Sequence, residues 1–185
     1  EFLSQFFASL SYIGIYATQQ AFDSPFESQM VYGLKENRGF YHGSPPLNET
    51  ETLVLETRFE DTLESPSYML PEDFTAFLQI HDGFCKYTDT GIIKSTQLCS
   101  CYKQFQQFLI EQEPLMTSRR EGINPKSLVP FYESFGLHCY QCFWGDWYPE
   151  QEMGNIYYSG IEKSVSNVLN KETWSDNMAF PTFLN

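Results

Sequence analysis

The spacing of apolar residues changes along this chain of 185 residues, from a helical period in its first part to a period of two after residue 128. Helices followed by a run of sequential strands are typical of an α+β fold with an antiparallel-rich sheet. We therefore predict such a sheet with helices packed on one face. The predicted helices cover residues 51–64, 71–82, 97–112, 161–170 and 177–185, of which the last two lie outside the residues described below. The predicted strands cover 92–93, 128–132, 137–144 and 155–158.

Residues 1–22 are the most apolar stretch of the chain and have nearly helical spacing, which predicts a helix packed on its own domain. A helix that binds a membrane surface or a partner is the alternative, but such helices usually carry Lys or Arg, and this stretch has neither. Residues 23–50 contain several Gly and Pro residues and are predicted to be loop. A soft boundary near residues 43–48 divides the chain into an N-terminal extension, 1–49, and a domain, 50–185.

Composition limits the classes of function. Aromatic residues make up 17% of the chain and charged residues only 19%, which excludes wholesale disorder. The net charge of −13 makes direct binding of nucleic acid improbable, because such a surface repels phosphates. It suits a basic protein partner, or it serves solubility alone.

Five cysteines are an odd number for a disulfide framework, and reduced thiols in a cytoplasmic protein are the simpler interpretation. No apolar run is long enough to span a membrane. Cys139 and Cys142 are three residues apart in a predicted strand, so they would point to opposite faces and could not share a metal ion. We therefore predict no metal and no cofactor.

The histidines do not form a recognisable catalytic pair. His138 and Cys139 are neighbours in a predicted strand and point in opposite directions. His81 and Asp82 lie at a predicted helix end, where we expect a cap rather than a catalytic dyad. No phosphate-binding loop or nucleophile elbow is present. These observations predict a protein without enzymatic activity.

Two segments are candidates for partner binding. In the predicted helix 51–64, Leu55, Phe59 and Leu63 form an apolar stripe beside an acidic stripe, for which a solvated face is the default and a docking face the alternative. The predicted hairpin loop 145–154 carries aromatic residues that either pack back on their own sheet or meet a partner. The candidate partner-binding residues are Glu56, Glu60, Glu64, Asp146, Trp147, Tyr148, Glu150 and Glu152.

Five segments in order resemble motifs of the SUKH superfamily. Leu70–Phe84 resembles its Leu-Pro, acidic-aromatic, Phe-Leu and Asp-Gly pattern, and Leu128–Phe131 resembles its apolar strand. The segments 137–144, Gly154–Tyr158 and 179–184 are similar to its later strands and closing helix. Residues 1–49 match nothing in the family, the 145–154 loop is longer than expected, and Pro181 interrupts the last motif.

The resemblance implies an α+β domain that binds proteins and has no shared catalytic residues. Bacterial members are typically immunity proteins that neutralise toxin domains, often nucleases, and other members are regulatory scaffolds. It therefore implies an immunity-type protein that binds a basic toxin domain. The alternatives are a regulatory scaffold without a toxin partner, and a module that binds a small ligand or carbohydrate through the aromatic loop.

Overall fold

The computed structural model describes residues 2–19, 22–63, 69–86, 90–111, 125–134, 139–145 and 154–158. These residues form one antiparallel sheet and four helices, which confirms the predicted α+β class. The helices are α1 (Phe2–Ala8), α2 (Glu49–Leu63), α3 (Glu72–Leu78) and α4 (Ser95–Glu111). The strands are β1 (Leu10–Thr18), β2 (Glu27–Leu34), β3 (Phe40–Gly43), β4 (Phe84–Lys86), β5 (Thr90–Ile92), β6 (Leu128–Ser134), β7 (Cys139–Trp144) and β8 (Gly154–Tyr158).

The eight described strands lie in the sheet in the same order as in the sequence. Each strand pairs antiparallel with the next one. Helices α2 and α3 are inserted between β3 and β4, and α4 is inserted between β5 and β6. The sheet is therefore a simple meander that is interrupted twice by helices.

Local capping explains where α2 begins. The Asn48 side chain accepts a hydrogen bond from the backbone N–H of Glu51, and the Glu51 carboxylate accepts one from the backbone N–H of Asn48, both at 2.9 Å. This reciprocal pair is a capping box, which satisfies two donors at a helix start. The pattern is visible in the sequence and places the helix start two residues before the predicted one.

The helices cover both faces of β7. Tyr140 contacts Phe105 of α4, and Phe143 contacts Phe74 of α3, each with ring centroids 5.1 Å apart. Residues three apart on a strand point to opposite faces, so α3 and α4 lie on opposite faces of the sheet here. This differs from the single covered face predicted from sequence. The unbroken runs of buried residues at 128–131 and 142–144 are the signal of a strand buried on both faces.

The sequence predicts a core that includes Phe59, Phe74, Phe77, Leu78, Phe131 and Tyr158, and most of these residues are buried. Phe59, Phe74, Leu78 and Phe131 have almost no exposed surface, and Phe77 is half-buried. The side chain of Tyr158 lies outside the described residues.

The predicted helix over residues 1–22 is wrong beyond Ala8. Helix α1 ends there, and Leu10–Thr18 is a strand that pairs with β2. Ile13, Ile15 and two tyrosines favour a strand because β-branched and aromatic side chains pack well on a pleated surface. Gly14 also disfavours a helix, by about 1 kcal/mol relative to Ala.

The predicted loop over residues 23–50 is also wrong, because it contains β2 and β3. Gly33, taken as a turn signal, lies inside β2, where the ring of Tyr12 occupies the space that a Cβ atom would need. Strand β3 pairs with β4, so the sheet continues across the predicted boundary at residue 49. The division into 1–49 and 50–185 marks no break in the sheet.

Candidate functional site

Six of the eight predicted partner-binding residues lie outside the described part of the chain. These are Glu64 and the loop residues Asp146, Trp147, Tyr148, Glu150 and Glu152. Trp144 pairs with Gly154, so the loop connects two antiparallel neighbours. Glu56 and Glu60 both lie on α2, Glu56 is half-buried, and the side chain of Glu60 is not among those described.

Helix α2 has one buried side and one stripe that is acidic with an apolar centre. Thr52, Leu55 and Phe59 are buried. Positions 49, 53, 56 and 60 follow the i, i+4, i+7, i+11 spacing that puts residues on one side of a helix. We call Glu49, Leu53, Glu56 and Glu60 the α2 stripe. Leu53 is 63% exposed at its centre, between Glu49 and Glu56.

The positive charge of α2 lies away from this stripe. Arg58 is the single basic residue of the helix, against five acidic residues. At 100° per residue, Arg58 lies about 160° around the helix axis from position 60, on the same side as Asp61. Within the described residues, Glu49 and Glu56 make no ion pair. Within the part of the chain that the structure describes, Glu49 and Glu56 are thus uncompensated negative charges on either side of one exposed leucine.

His81 lies in a buried position between the sheet and the end of α3. Its Nε2 atom is hydrogen-bonded to the Tyr32 hydroxyl at 2.7 Å, and its Nδ1 atom lies 3.4 Å from the carbonyl oxygen of Ser44. A carbonyl can only accept, so Nδ1 carries the proton, and in the neutral ring Nε2 accepts from the Tyr32 hydroxyl. The same hydroxyl lies 2.9 Å from the Sδ atom of Met30, which is a weaker acceptor that competes for its one proton. Burial lowers the pKa of His81, and the bond to the Ser44 carbonyl partly opposes this. The ring is held neutral and ties β2 to α3.

Asp82 has a capping role, although the helix that it caps is α4 rather than the helix that precedes it. Its carboxylate accepts hydrogen bonds from the backbone N–H of Ser95 at 2.6 Å and from the Ser95 hydroxyl at 2.9 Å. Ser95 is the first residue of α4, so the negative charge lies at the positive end of the helix dipole. His81 and Asp82 therefore serve two different structural contacts.

Four cysteines within the described residues are free thiols: Cys85, Cys99, Cys101 and Cys142. Cys101 of α4 and Cys142 of β7 are buried in the core. Burial raises the pKa of Cys101 to about 12, with a smaller contribution from Glu133, and it also raises the pKa of Cys142. These two thiols are therefore packing groups that resist forming the reactive thiolate.

The N-terminal region carries an apolar surface that the sequence analysis missed. Seven of the eleven exposed large apolar side chains among the described residues lie between residues 7 and 26. Four of them, Tyr12, Ile13, Ile15 and Tyr16, belong to β1 and are 46–73% exposed. The prediction of a helix packed on its own domain implied that these residues are buried. In the strand that forms instead, they lie on both faces of an edge of the sheet and are exposed.

Comparison of the chain with protein-family models, with curated proteins and with solved structures finds no match. Among the residues that the structure describes, no group of three or more His, Cys, Asp or Glu side chains is placed to hold a metal ion. No helix in the same part of the chain is both long and apolar enough to cross a membrane.

Proposed function

We propose that this chain is a non-enzymatic protein-binding domain that engages a basic partner through the α2 stripe. The observation that carries the proposal is the exposure of Leu53 within a set of carboxylates that have no basic neighbour on their side of the helix. An apolar centre with a charged rim is the usual anatomy of a protein interface.

Electrostatics supports a basic partner. The net charge of −13 attracts a positively charged surface over a distance, which raises the rate of association, while the apolar contact at Leu53 slows dissociation. The carboxylates need not be deeply buried for this effect. The rate of association should therefore fall as salt is added, because exposed charges are screened.

The more specific version of the proposal is an immunity-type protein of the cytoplasm that neutralises a toxin domain, such as a nuclease. It draws on the resemblance to the SUKH superfamily, on the acidity of the chain and on the four free thiols. A nuclease has a basic cleft that an acidic helix can occupy. The 145–154 loop, with Asp146, Trp147, Tyr148, Glu150 and Glu152, is the second proposed contact.

Co-expression with the product of the neighbouring gene tests the proposal. We expect a complex whose association rate constant falls at least about tenfold in Glu56→Lys, because the charge reversal acts against the steering field. Asp61→Lys is the matched control, since it makes the same change on the other side of α2. Equal effects of the two variants would exclude the α2 stripe as the contact.

The neighbouring gene also separates the two versions of the proposal. A toxin domain whose activity stops on addition of this chain would support the immunity version. A complex with a non-toxic partner would support a regulatory scaffold instead.

A further inference from the structure

Strand β1 forms an open edge of the sheet. Among the described residues it pairs with β2 alone, so the backbone groups on its other side have no strand partner. The register with β2 is irregular only between Leu10 and Tyr12, and it is regular from Tyr12 to Thr18. Strand edges of this kind are ready to pair with another chain.

From Tyr12 to Thr18, beyond the irregularity at Leu10–Tyr12, the edge lacks the features that usually prevent such pairing. Natural edges are short, or carry Lys, Pro or inward-pointing charge. Strand β1 has nine residues and contains neither Pro nor a charged residue. The uncharged stretch extends from Phe2 to Phe22.

The five central residues of β1 are symmetric about Gly14. Tyr12-Ile13-Gly14-Ile15-Tyr16 reads the same in both directions. When two such strands pair antiparallel with Gly14 opposite Gly14, each isoleucine lies opposite an isoleucine and each tyrosine opposite a tyrosine. A two-fold interface needs a patch that fits itself, and this pairing of like residues meets that condition.

We infer that β1 pairs with β1 of a second copy of this chain, antiparallel about Gly14, to form a two-fold dimer with one continuous sheet. Ile13 and Ile15 cover one face of the junction, and Tyr12 and Tyr16 cover the other. Cross-strand aromatic and β-branched pairs of this kind stabilise a sheet. The inference is independent of the proposed function, which uses the α2 stripe.

The charge distribution favours a second copy at this edge. Two chains of net charge −13 repel each other, so they can associate closely only where the acids are absent. Glu27, which lies opposite Thr18 in β2, is neutralised by Lys94 at 3.5 Å. Lys35 donates to the carbonyl oxygen of Ala8, the last residue of α1, so the charge nearest the N-terminal end of β1 is positive.

Molecular mass in solution gives the first test. By sedimentation equilibrium over about 1–100 µM, we expect twice the 21.6 kDa of one chain for the wild type and 21.6 kDa for Ile15→Lys. Val54→Lys makes the same kind of change at an exposed β-branched residue of α2, which is 50% exposed against 73% for Ile15, and should stay dimeric. Circular dichroism establishes that each variant is folded.

Crosslinking gives a second test, which does not require a charged substitution. It depends on the register of the proposed pairing, in which Gly14 lies opposite Gly14 of the second copy. A Cys at position 14 lies about 4.5–5.5 Å, Cα to Cα, from its copy in the proposed pairing, which suits a disulfide. Its Cβ atom needs only a shift of the Tyr16 ring, whose Cε2 atom lies 2.9 Å away. In Thr18→Cys the two copies are about 27 Å apart.

We therefore expect Gly14→Cys to form a disulfide-linked dimer on mild oxidation, with the 14–14 crosslink identified by mass spectrometry, and Thr18→Cys to remain a single chain. A monomeric wild type, a dimer that survives Ile15→Lys, or equal crosslinking at both positions would each overturn the inference. If the chain is monomeric and Ile15→Lys abolishes binding to another protein, then the edge serves that partner and not a second copy. The effect of Glu56→Lys on partner binding is measured in a separate experiment. Absence of the dimer would therefore not contradict the proposed function.

Discussion

The imidazole ring of His81 fills the space beside Gly43 that any larger residue at position 43 would need. Gly43 ends β3, and His81 follows α3, so this contact sets how closely the helix approaches the sheet. We expect Gly43→Ala to lower the free energy of unfolding by about 1–3 kcal/mol, the usual cost of overpacking.

A double-mutant cycle measured by urea denaturation checks the cause. With His81→Ala in the background the added methyl group has room, so Gly43→Ala should then cost much less. Additive effects of the two substitutions would show that the ring of His81 is not what excludes a side chain at position 43.

The lowered pKa of His81 predicts a pH dependence of stability. Well above about pH 6.5 neither the folded nor the unfolded chain carries the second imidazole proton at this residue. Below that pH the unfolded chain binds a proton and the folded chain resists doing so, so the free energy of unfolding falls as the pH is lowered, until the pH passes the folded pKa.

His81→Gln isolates this contribution from that of the many carboxylates. Between about pH 7.5 and 5.5, stability of the wild type should fall relative to that of the variant. A constant difference over this range would contradict a neutral, buried His81.

The Asp82–Ser95 contact predicts a graded series at the start of α4. Asp82→Ala leaves the backbone N–H of Ser95 without its acceptor and should cost about 1–2 kcal/mol in thermal or urea unfolding. Asp82→Asn keeps an acceptor oxygen and should cost less. Equal losses in the two variants would argue that the charge, and not the hydrogen bond, carries the effect.

Thiol modification should follow burial. At about pH 8 we expect iodoacetamide to modify Cys99, which is half-buried, well before Cys101 and Cys142. Peptide mass spectrometry measures the three rates, and urea should bring them together. Fast modification of Cys142 in the folded protein would mean that β7 opens locally.

The loop 145–154 keeps the prediction made for it from sequence. If Trp147 is a central contact with the partner, Trp147→Ala should weaken binding by at least about 2 kcal/mol without changing the fold. Calorimetric titration of the complex measures the first effect, and circular dichroism measures the second. Unchanged affinity would remove the loop from the proposed interface.

Sequence patterns predicted the helices and strands in which apolar residues follow a single helical or strand period. They missed those in which helical spacing competes with residue types that favour a strand. Leu55 and Phe59 form a regular helical stripe, and both are buried. In β1, aromatic and aliphatic residues at spacings of three and four imitated a helix. The outcome there depends on pairing with β2, which is a contact with residues that follow later in the chain.

The candidate site could be predicted only where it depends on local spacing. The acidic positions of α2 follow from helical geometry, but the exposure of Leu53 depends on how α2 packs. The tertiary cap of α4 joins Asp82 to Ser95, thirteen residues later, and no spacing rule connects two such positions. Composition predicts turns at Gly33 and Gly43, whereas both lie in strands, and the rings beside them come from β1 and from the end of α3.

The sequential order of the strands has a consequence for how the chain acquires its structure. Each described strand pairs with its neighbours in the sequence. Only the β3–β4 and β5–β6 pairs are separated by helices, so few pairings join segments that are far apart in the chain. Such local topology shortens the search during folding. During synthesis β1, β2 and β3 leave the ribosome before the rest of the sheet. Of the sheet neighbours of these three strands, only β4 is then still missing. We expect this N-terminal unit to assemble first and to act as the template on which the later strands are added in turn.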